Sequence, residues 1–347
     1  MDSRRLLLDL DSVELEAWLA DLGEPRFRAQ QILYWTYRRP VDDFESMTDL
    51  PHSLKVRLGS SFDLRSGRVL ARASAADGAV KLLLSWPDAA TTECVMIPAL
   101  AGQARRTACI STQVGCDVGC RFCASGIDGA LRNLTVGEVV EQAVVVAAWL
   151  RSRQERLSHV VFMGMGEPLA NYEVTVEAVR RLNAPWGLGI SQRRITVSTV
   201  GLPKQIERLA EEDLQITLAL SLHAPNEELR RQLIPWARGV PLSRLLEACR
   251  HYFSRTGREM TLEYCLLAEV NDQAGHARQL AEIACELRAH VNLLMYNPVS
   301  SLPFARPSRN RAVGFLKELR RLGVNAHLRE SRGLEADAAC GQLQQRH

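Results

Sequence analysis

From about residue 105 onward the chain alternates between strand-like and helix-like segments, and this alternation limits the fold more than any other feature. Candidate strands lie at 107–111, 158–163, 193–199, 215–222, 260–267 and 291–296, with a further one at 324–329. Helical periodicity occupies 135–151, 172–183, 241–256, 273–289 and 308–322. Short apolar strands separated by amphipathic helices imply βα units, hence an α/β fold whose parallel sheet stays open or curls into a barrel. The first sixty residues read as helical: Glu14 to Leu22 and Phe27 to Tyr37 carry apolar residues at helical spacing, and FRAQQILYWTYRR is aromatic on one side and basic at its end. Such a unit either docks on nucleic acid or caps the main domain with its aromatics. Next, RVLARAS, VKLLLSW and TECVMIPAL are short strands broken by the turn signals DG and PD. The predicted organisation is an N-terminal helical domain over 1–64, a small antiparallel β linker element over 65–104, a βα domain over 105–335 and a loop-like tail over 336–347.

Unusual polar residues fall at one kind of position. Gly164-Met165-Gly166-Glu167-Pro168 follows the second candidate strand, Ser198 ends the third, Ser221 and His223 close the fourth, and Asn297 follows the sixth. A glycine-rich cysteine stretch, CISTQVGCDVGCRFCASGIDGALR, follows the first. In parallel α/β barrels the carboxyl ends of the strands form the active-site rim, so these segments converge on one place.

Within that stretch Cys116, Cys120 and Cys123 form C-x3-C-x2-C. A structural zinc site wants four closed ligands, usually two separated pairs, and no histidine lies within thirty residues of the triplet. A [4Fe–4S] cluster takes four thiolates, and three local ones leave one iron open to a small molecule. Disulfides are the other use of nine cysteines, but they need an oxidising compartment. The N-terminus MDSRRLLLDLD lacks the apolar run of a signal peptide. The expectation is therefore a reducing cytoplasm. At 46% hydrophobic and 24% charged residues the composition is ordinary globular, without a membrane span. The net charge of +3 decides little, but only four of the 43 basic residues are lysine (Lys55, Lys81, Lys204 and Lys317). Arginine suits phosphates and stacks on bases. A GC-rich genome explains the same bias, so composition permits nucleic-acid binding without requiring it.

Glu167 can accept hydrogen bonds from an ammonium group, and glycines beside it let backbone approach a ligand; a plain turn is the alternative. Ser198, Ser221 and His223 could contact ribose or methionine groups, though a histidine at a strand end is usually structural. Asn297 can offer a bidentate amide to an adenine edge. Cys109 lies on the first candidate strand, and Cys340 lies in EADAACGQL near the C-terminus, where core filling is hard to arrange. Cys94, Cys249, Cys265 and Cys285 sit in apolar periodic settings and read as buried, inert thiols. Glu93 either faces solvent by strand alternation or faces the cleft as a base.

The ordered set CxxxxxxCxxxCxxC, RNLT, VFMGMGEPLAN, RRITVSTVG, LSLHAPNEELR, EYCLL-x3-ND, YNPV and AACGQL, with RFRAQQILYW and FESMTDLP upstream, resembles the RlmN/Cfr family of radical S-adenosylmethionine (SAM) enzymes, which methylate adenine in RNA. The resemblance runs from about residue 25 to 343. It implies a partial (βα)6 TIM-type radical SAM barrel, a [4Fe–4S] cluster on Cys116, Cys120 and Cys123, and SAM contacts from Gly166, Glu167, Ser198, Ser221, Leu222, His223 and Asn297. It implies two SAM molecules per turnover: one methylates Cys340, and the other yields a 5′-deoxyadenosyl radical that takes hydrogen from that methyl group. The methylene radical then adds to adenine. Cys109 matches the partner that forms a transient disulfide with Cys340 and frees the product, and Glu93 matches the proton acceptor. On the RlmN side of the family the product is a carbon-2 methyl on an adenine of 23S rRNA and on the adenine beside the anticodon of tRNA. The Cfr side methylates carbon 8 of the same rRNA adenine. A reducing donor such as flavodoxin, a monomer and a cytoplasmic location complete the expectation.

Three departures bear on substrate choice: Ser125 where threonine is more usual, Pro235-Trp236-Ala237-Arg238 in place of a small polar sequence, and Glu330 where an uncharged or basic residue is commoner. A radical SAM enzyme acting on a protein or small molecule would have no need of Cys340. A non-catalytic RNA-binding protein would hold zinc.

Overall fold

The computed structural model describes residues 4–99 and 104–344. Positions 1–3, 100–103 and 345–347, which close or begin three of the predicted segments, lie outside the described residues. Strand β1 (Arg5–Leu6) pairs in parallel with β2 (Phe62–Asp63), and helices α1 (Ser12–Asp21), α2 (Phe27–Leu33) and α3 (His52–Ser61) lie between them in the chain. α1 begins where Asp11 and Glu14 satisfy each other's backbone N–H groups in a capping box. Then come β3 (Arg68–Ser74), β4 (Val80–Ser85), β5 (Thr91–Pro98) and β6 (Arg106–Cys109), followed by the hairpin β7 (Gln113–Gly115) and β8 (Ala130–Asn133). The alternation continues with α4 (Val136–Arg151), β9 (His159–Phe162), α5 (Tyr172–Asn183), β10 (Ile195–Thr199), α6 (Pro203–Leu209), β11 (Thr217–Ser221), α7 (Glu227–Leu233) and α8 (Leu242–Thr256). It closes with β12 (Thr261–Leu266), α9 (Ala274–Glu286), β13 (His290–Met295), α10 (Arg309–Arg321) and β14 (Ala326–Arg329).

One ten-stranded sheet runs β14-β13-β12-β11-β10-β9-β6-β5-β4-β3. From β6 to β14 every neighbour is parallel, and β3, β4 and β5 join antiparallel. β3 and β14 stand at opposite ends of the order, so the barrel is partial. All seven candidate strands of the βα region form. α6 and α7, seven residues each, are absent from the sequence reading because two helical turns give no measurable periodicity. The three strands before residue 100 extend the main sheet, since β5 pairs with β6 directly.

α4 packs an apolar face made of Val139, Val140, Ala143, Val144 and Val146, none of them exposed. It also buries Glu141, which accepts from Ser66 and Gly67, and Gln142, whose amide bridges the N–H and the carbonyl of Ser111. These bonds answer the cost of burying polar groups. In the N-terminal unit Trp35 and Tyr37 are buried, and Tyr37 meets Trp186 edge-on at 5.6 Å. Burying each such ring contributes at most about 3 kcal/mol. Arg38 donates to the carbonyls of Leu188 (3.0 Å) and Pro185 (2.8 Å). Those carbonyls lie between α5 and β10, at the amino ends of the strands, so this aromatic and basic stretch caps the barrel there. Among the described residues no helix is long and apolar enough to cross a membrane.

Candidate active site

The cysteine loop owes its shape to glycine. Gly115 has φ of +79°, and a Cβ there would stand 1.9 Å from the Gly129 carbonyl oxygen. Only glycine allows that closure; the Cys116 N–H then donates to the same oxygen at 3.0 Å. Gly126 presses on Gly119, with a Cβ position 3.0 Å from the Gly119 Cα. Cys116, Cys120 and Cys123, each half-buried, pack in one apolar cluster with Val118, Phe122, Leu233 and Ile234. Burial pushes the Cys116 thiol up to about 12 and raises Cys120 and Cys123 as well, with the neighbouring thiols adding to the first two. Gly115→Ala is expected to cost the folded loop about 2 kcal/mol or more. Its checkable result is iron content well below the parent's after identical anaerobic reconstitution.

The neighbouring strand ends supply the other predicted residues. Gly166 has φ of +99°, with a Cβ position 2.7 Å from the Gln113 side chain, so the GMGEP backbone lies directly against the start of the hairpin. Glu167 is buried. Its Oε1 accepts from the Leu169 N–H at 3.0 Å and its Oε2 from the Val200 N–H at 2.7 Å. Burial nevertheless pushes its carboxyl up to about 7. The Ser198 and Ser221 hydroxyls are 3.1 Å apart. Leu222 is fully buried and donates its N–H to the Glu263 carbonyl at 3.1 Å, leaving backbone as its means of contact. His223 takes φ of +55°, and its Nδ1 accepts from the Cys265 N–H at 3.0 Å. That bond assigns the proton to Nε2. Burial, with the Arg230 cation adding to it, pushes the imidazole down to about 3, so it is neutral.

The raised Glu167 carboxyl has a signed consequence. Its folded pKa exceeds its unfolded one, so its contribution to stability is full below about 4.5 and is lost as pH rises through about 7. In metal-free, SAM-free protein, the melting temperature of Glu167→Gln relative to the parent is expected to climb between those pH values and then level off. A flat difference across that range contradicts the assignment.

The tail is docked. The Ala124 N–H donates to the Gly341 carbonyl (2.8 Å) and the Ser125 hydroxyl to the Leu343 carbonyl (2.6 Å), both from the turn that follows Cys123. The Asn297 amide donates to the Cys340 carbonyl at 3.0 Å, while its oxygen accepts from Arg306 and Ser331. Ala338 and Leu343 pack with Cys109, Val95 and Met165. Cys340 is exposed as a residue, although its thiol is desolvated. Desolvation raises its thiol, and Cys109, Cys123 and Glu263 add to the rise, so it stands near both the cluster cysteines and Cys109. Burial pushes Cys109 up to about 12. Glu93 is buried, paired with Lys81 at 3.0 Å, and its Oε2 accepts from the Gln344 N–H at 3.1 Å; it does not face solvent.

With this geometry in view, comparison with known proteins identifies the architecture. Residues 6–63 match the ribosomal RNA large subunit methyltransferase N-terminal domain, and residues 110–281 match the radical SAM superfamily. Two relatives, each described as a probable dual-specificity RNA methyltransferase RlmN, are similar over almost the whole chain. The one from Gloeobacter violaceus is 47% identical over 98% of this chain and 95% of its own length. The one from Thermosynechococcus vestitus is 45% identical over 98% of both. This chain belongs to the RlmN family. A solved radical SAM methyltransferase from Sphaerobacter thermophilus is 44% identical and superposes with a TM-score of 0.94, covering 98% of this chain and 99% of that one.

Radical SAM enzymes of the RlmN family carry a [4Fe–4S] cluster and SAM, and the donor set suits them. Among the described residues no three His, Cys, Asp or Glu side chains close on a point as they would around a single ion. Three thiols from one short loop, packed in one apolar cluster, suit a [4Fe–4S] centre with one iron left open. Arg230, buried beside Cys120, has an Nε without a hydrogen-bond partner among the described residues. A guanidinium there offsets the negative charge of cluster thiolates.

Two cysteine expectations are corrected. Cys285 is exposed, near the end of α9 on its solvent side. Cys265 is half-buried and packs with the cluster-cysteine group; burial raises its thiol, with Cys340 and Cys123 adding to the rise and Arg306 opposing it. Cys94 and Cys249 are buried as expected. Lys81, Ser111, Gln113, Arg230 and Arg306 also stand at the site without a motif to mark them. Only Lys81 carries a signal: it is a rare lysine within an apolar strand.

Proposed function

We propose that this RlmN-family radical SAM methyltransferase methylates carbon 2 of an adenine in large-subunit ribosomal RNA and of the adenine beside the anticodon in tRNA. The observation that supports this reading is the docked tail around Cys340, in which Ala338 and Leu343 pack with Cys109 while Gly341 and Leu343 bond to the turn after Cys123. The name shared by its relatives, dual-specificity RNA methyltransferase, supports two RNA substrates.

Carbon 2 lies between two ring nitrogens and is a poor nucleophile, so a direct methyl transfer from SAM is unsuited to it. Cluster and SAM, when bound, supply a 5′-deoxyadenosyl radical able to take hydrogen from a methyl group. Cys116, Cys120 and Cys123 hold the cluster, and Gly166, Glu167, Ser198, Ser221, Leu222, His223 and Asn297 line the SAM position. The neutral His223 can donate from Nε2, and the Glu167 carboxylate can receive an ammonium group. Cys340 carries the methyl carbon to the base. Glu93 accepts the ring proton. Cys109, as its thiolate, attacks the Cys340 sulfur; a sulfur–sulfur bond forms, the sulfur–carbon bond breaks, and the carbon keeps that electron pair and takes a proton.

The test is nucleoside mass spectrometry after anaerobic turnover with SAM, a reductant and unmodified rRNA or tRNA. The expected product is 2-methyladenosine from both. Finding 8-methyladenosine alone sinks the carbon-2 reading, and no methylated nucleoside sinks RNA as the substrate.

A further inference from the structure

Cross-strand register lines up one face of the sheet under the tail. Lys81 on β4 pairs with Val95 on β5, and Val95 pairs with Cys109 on β6. Directly opposed residues share a face, and Glu93, two positions from Val95, shares it too. Lys81 is 4% exposed. Its Nζ donates to the Asp337 carbonyl at 2.9 Å and pairs with Glu93 Oε1 at 3.0 Å. The other Glu93 oxygen receives the Gln344 N–H at 3.1 Å. One buried ion pair therefore grips the tail at two points, three residues before Cys340 and four residues after it.

Two further observations give the pair a purpose. A buried ion pair is weak evidence for stability, because desolvation offsets its attraction and an apolar pair does as well. This one serves instead to place a backbone. Four lysines stand among 43 basic residues, and this one is buried at the site. An ammonium is compact and directs three hydrogens freely, whereas a planar guanidinium fork fits poorly between one carbonyl and one carboxylate oxygen.

We propose that Lys81 is a positioning residue for methyl transfer. Acting through Glu93 and the tail backbone, it holds residues 337–344 so that the Cys340 sulfur stays at the strand ends. The proposal rests on the reading of Cys340 as methyl carrier.

The test uses the full-length, anaerobically purified holoenzyme and follows amide hydrogen exchange, alkylation of Cys340 by N-ethylmaleimide, and RNA methylation. K81M is expected to speed exchange at 338–344 and Cys340 alkylation roughly tenfold, the scale of one lost hydrogen bond to a charged group. Amides of β10 to β13 keep their parental rates. Q344P removes the N–H that Glu93 receives and loosens the tail from the other side without touching the sheet, so it decides the matter should K81M fold poorly. K81R, which keeps the charge, recovers part of the protection. In RNA assays kcat falls in K81M and Q344P while KM for RNA is unchanged. Parental tail exchange in both overturns the proposal. So does a K81M that loosens β4 and β5 as much as the tail while Q344P is silent, because the pair then only stabilises the sheet. A tail that loosens as expected in an enzyme whose RNA methylation survives loss of Cys340 instead defeats the functional reading.

Discussion

Cys340→Ala is expected to abolish methyl transfer to RNA, by roughly a thousandfold or more, the scale of losing a covalent participant. The structure makes this a clean substitution. At positions 340, 341, 343 and 344 the tail docks through its backbone: the carbonyls of Cys340, Gly341 and Leu343 and the N–H of Gln344. Alanine keeps all of them and removes only the sulfur. Transfer of labelled methyl from SAM to RNA is the readout, with iron content and tail exchange as controls expected to match the parent. Methylation within tenfold of the parent means that Cys340 is not the methyl carrier.

Cys109→Ala is expected to fail at the opposite end of the reaction. The residue is buried at the end of β6, and the loss of one sulfur there costs about 1 kcal/mol, which a domain of this size tolerates. On the two-cysteine reading proposed above, the bond between the Cys340 sulfur and the RNA carbon is then left without its resolving thiol. A protein–RNA adduct should accumulate to about one per enzyme and survive a denaturing gel, while multiple turnover falls by roughly a hundredfold or more. Added thiol reductant does not restore turnover when the buried sulfur is out of its reach. Normal product release without an adduct rules out the two-cysteine resolution.

Much of this arrangement is legible in the sequence, for reasons that differ from residue to residue. The central parallel strands β10, β11 and β12 declare themselves because strands buried on both faces read as short apolar runs, and the polar residues at their ends then stand out. The cysteine triplet is readable because its ligands are local. Ser125 could be noted only as a departure from the family's usual threonine; its hydroxyl holds the Leu343 carbonyl, a contact made across 218 positions. Long-range contacts of that kind leave no periodicity. Asn297 is read as an adenine contact from its chemistry, whereas the fold also gives it Cys340, Arg306 and Ser331. The three strands before residue 100 show their alternation but not their destination, since nothing in a strand's own residues says which edge it will join. The aromatic helix end near Tyr37 fits RNA docking and barrel capping equally well until Trp186 is found beside it.

The chemistry of this enzyme is moored to the margin of its sheet. β3 is the outermost strand, and six of its seven residues are exposed, Val69 and Leu70 among them. Only β3 lies between the sheet's edge and β4, the strand that carries Lys81. Native proteins open first where backbone bonds border water, in small cooperative units. Opening of β3 therefore exposes β4, and with it one mooring of the tail. Changes on the outer face of β3 are expected to alter how often the tail is released, although they lie two strands away from Glu93. On the proposed mechanism, the frequency of edge breathing is expected to enter the kinetics of the methyl transfer.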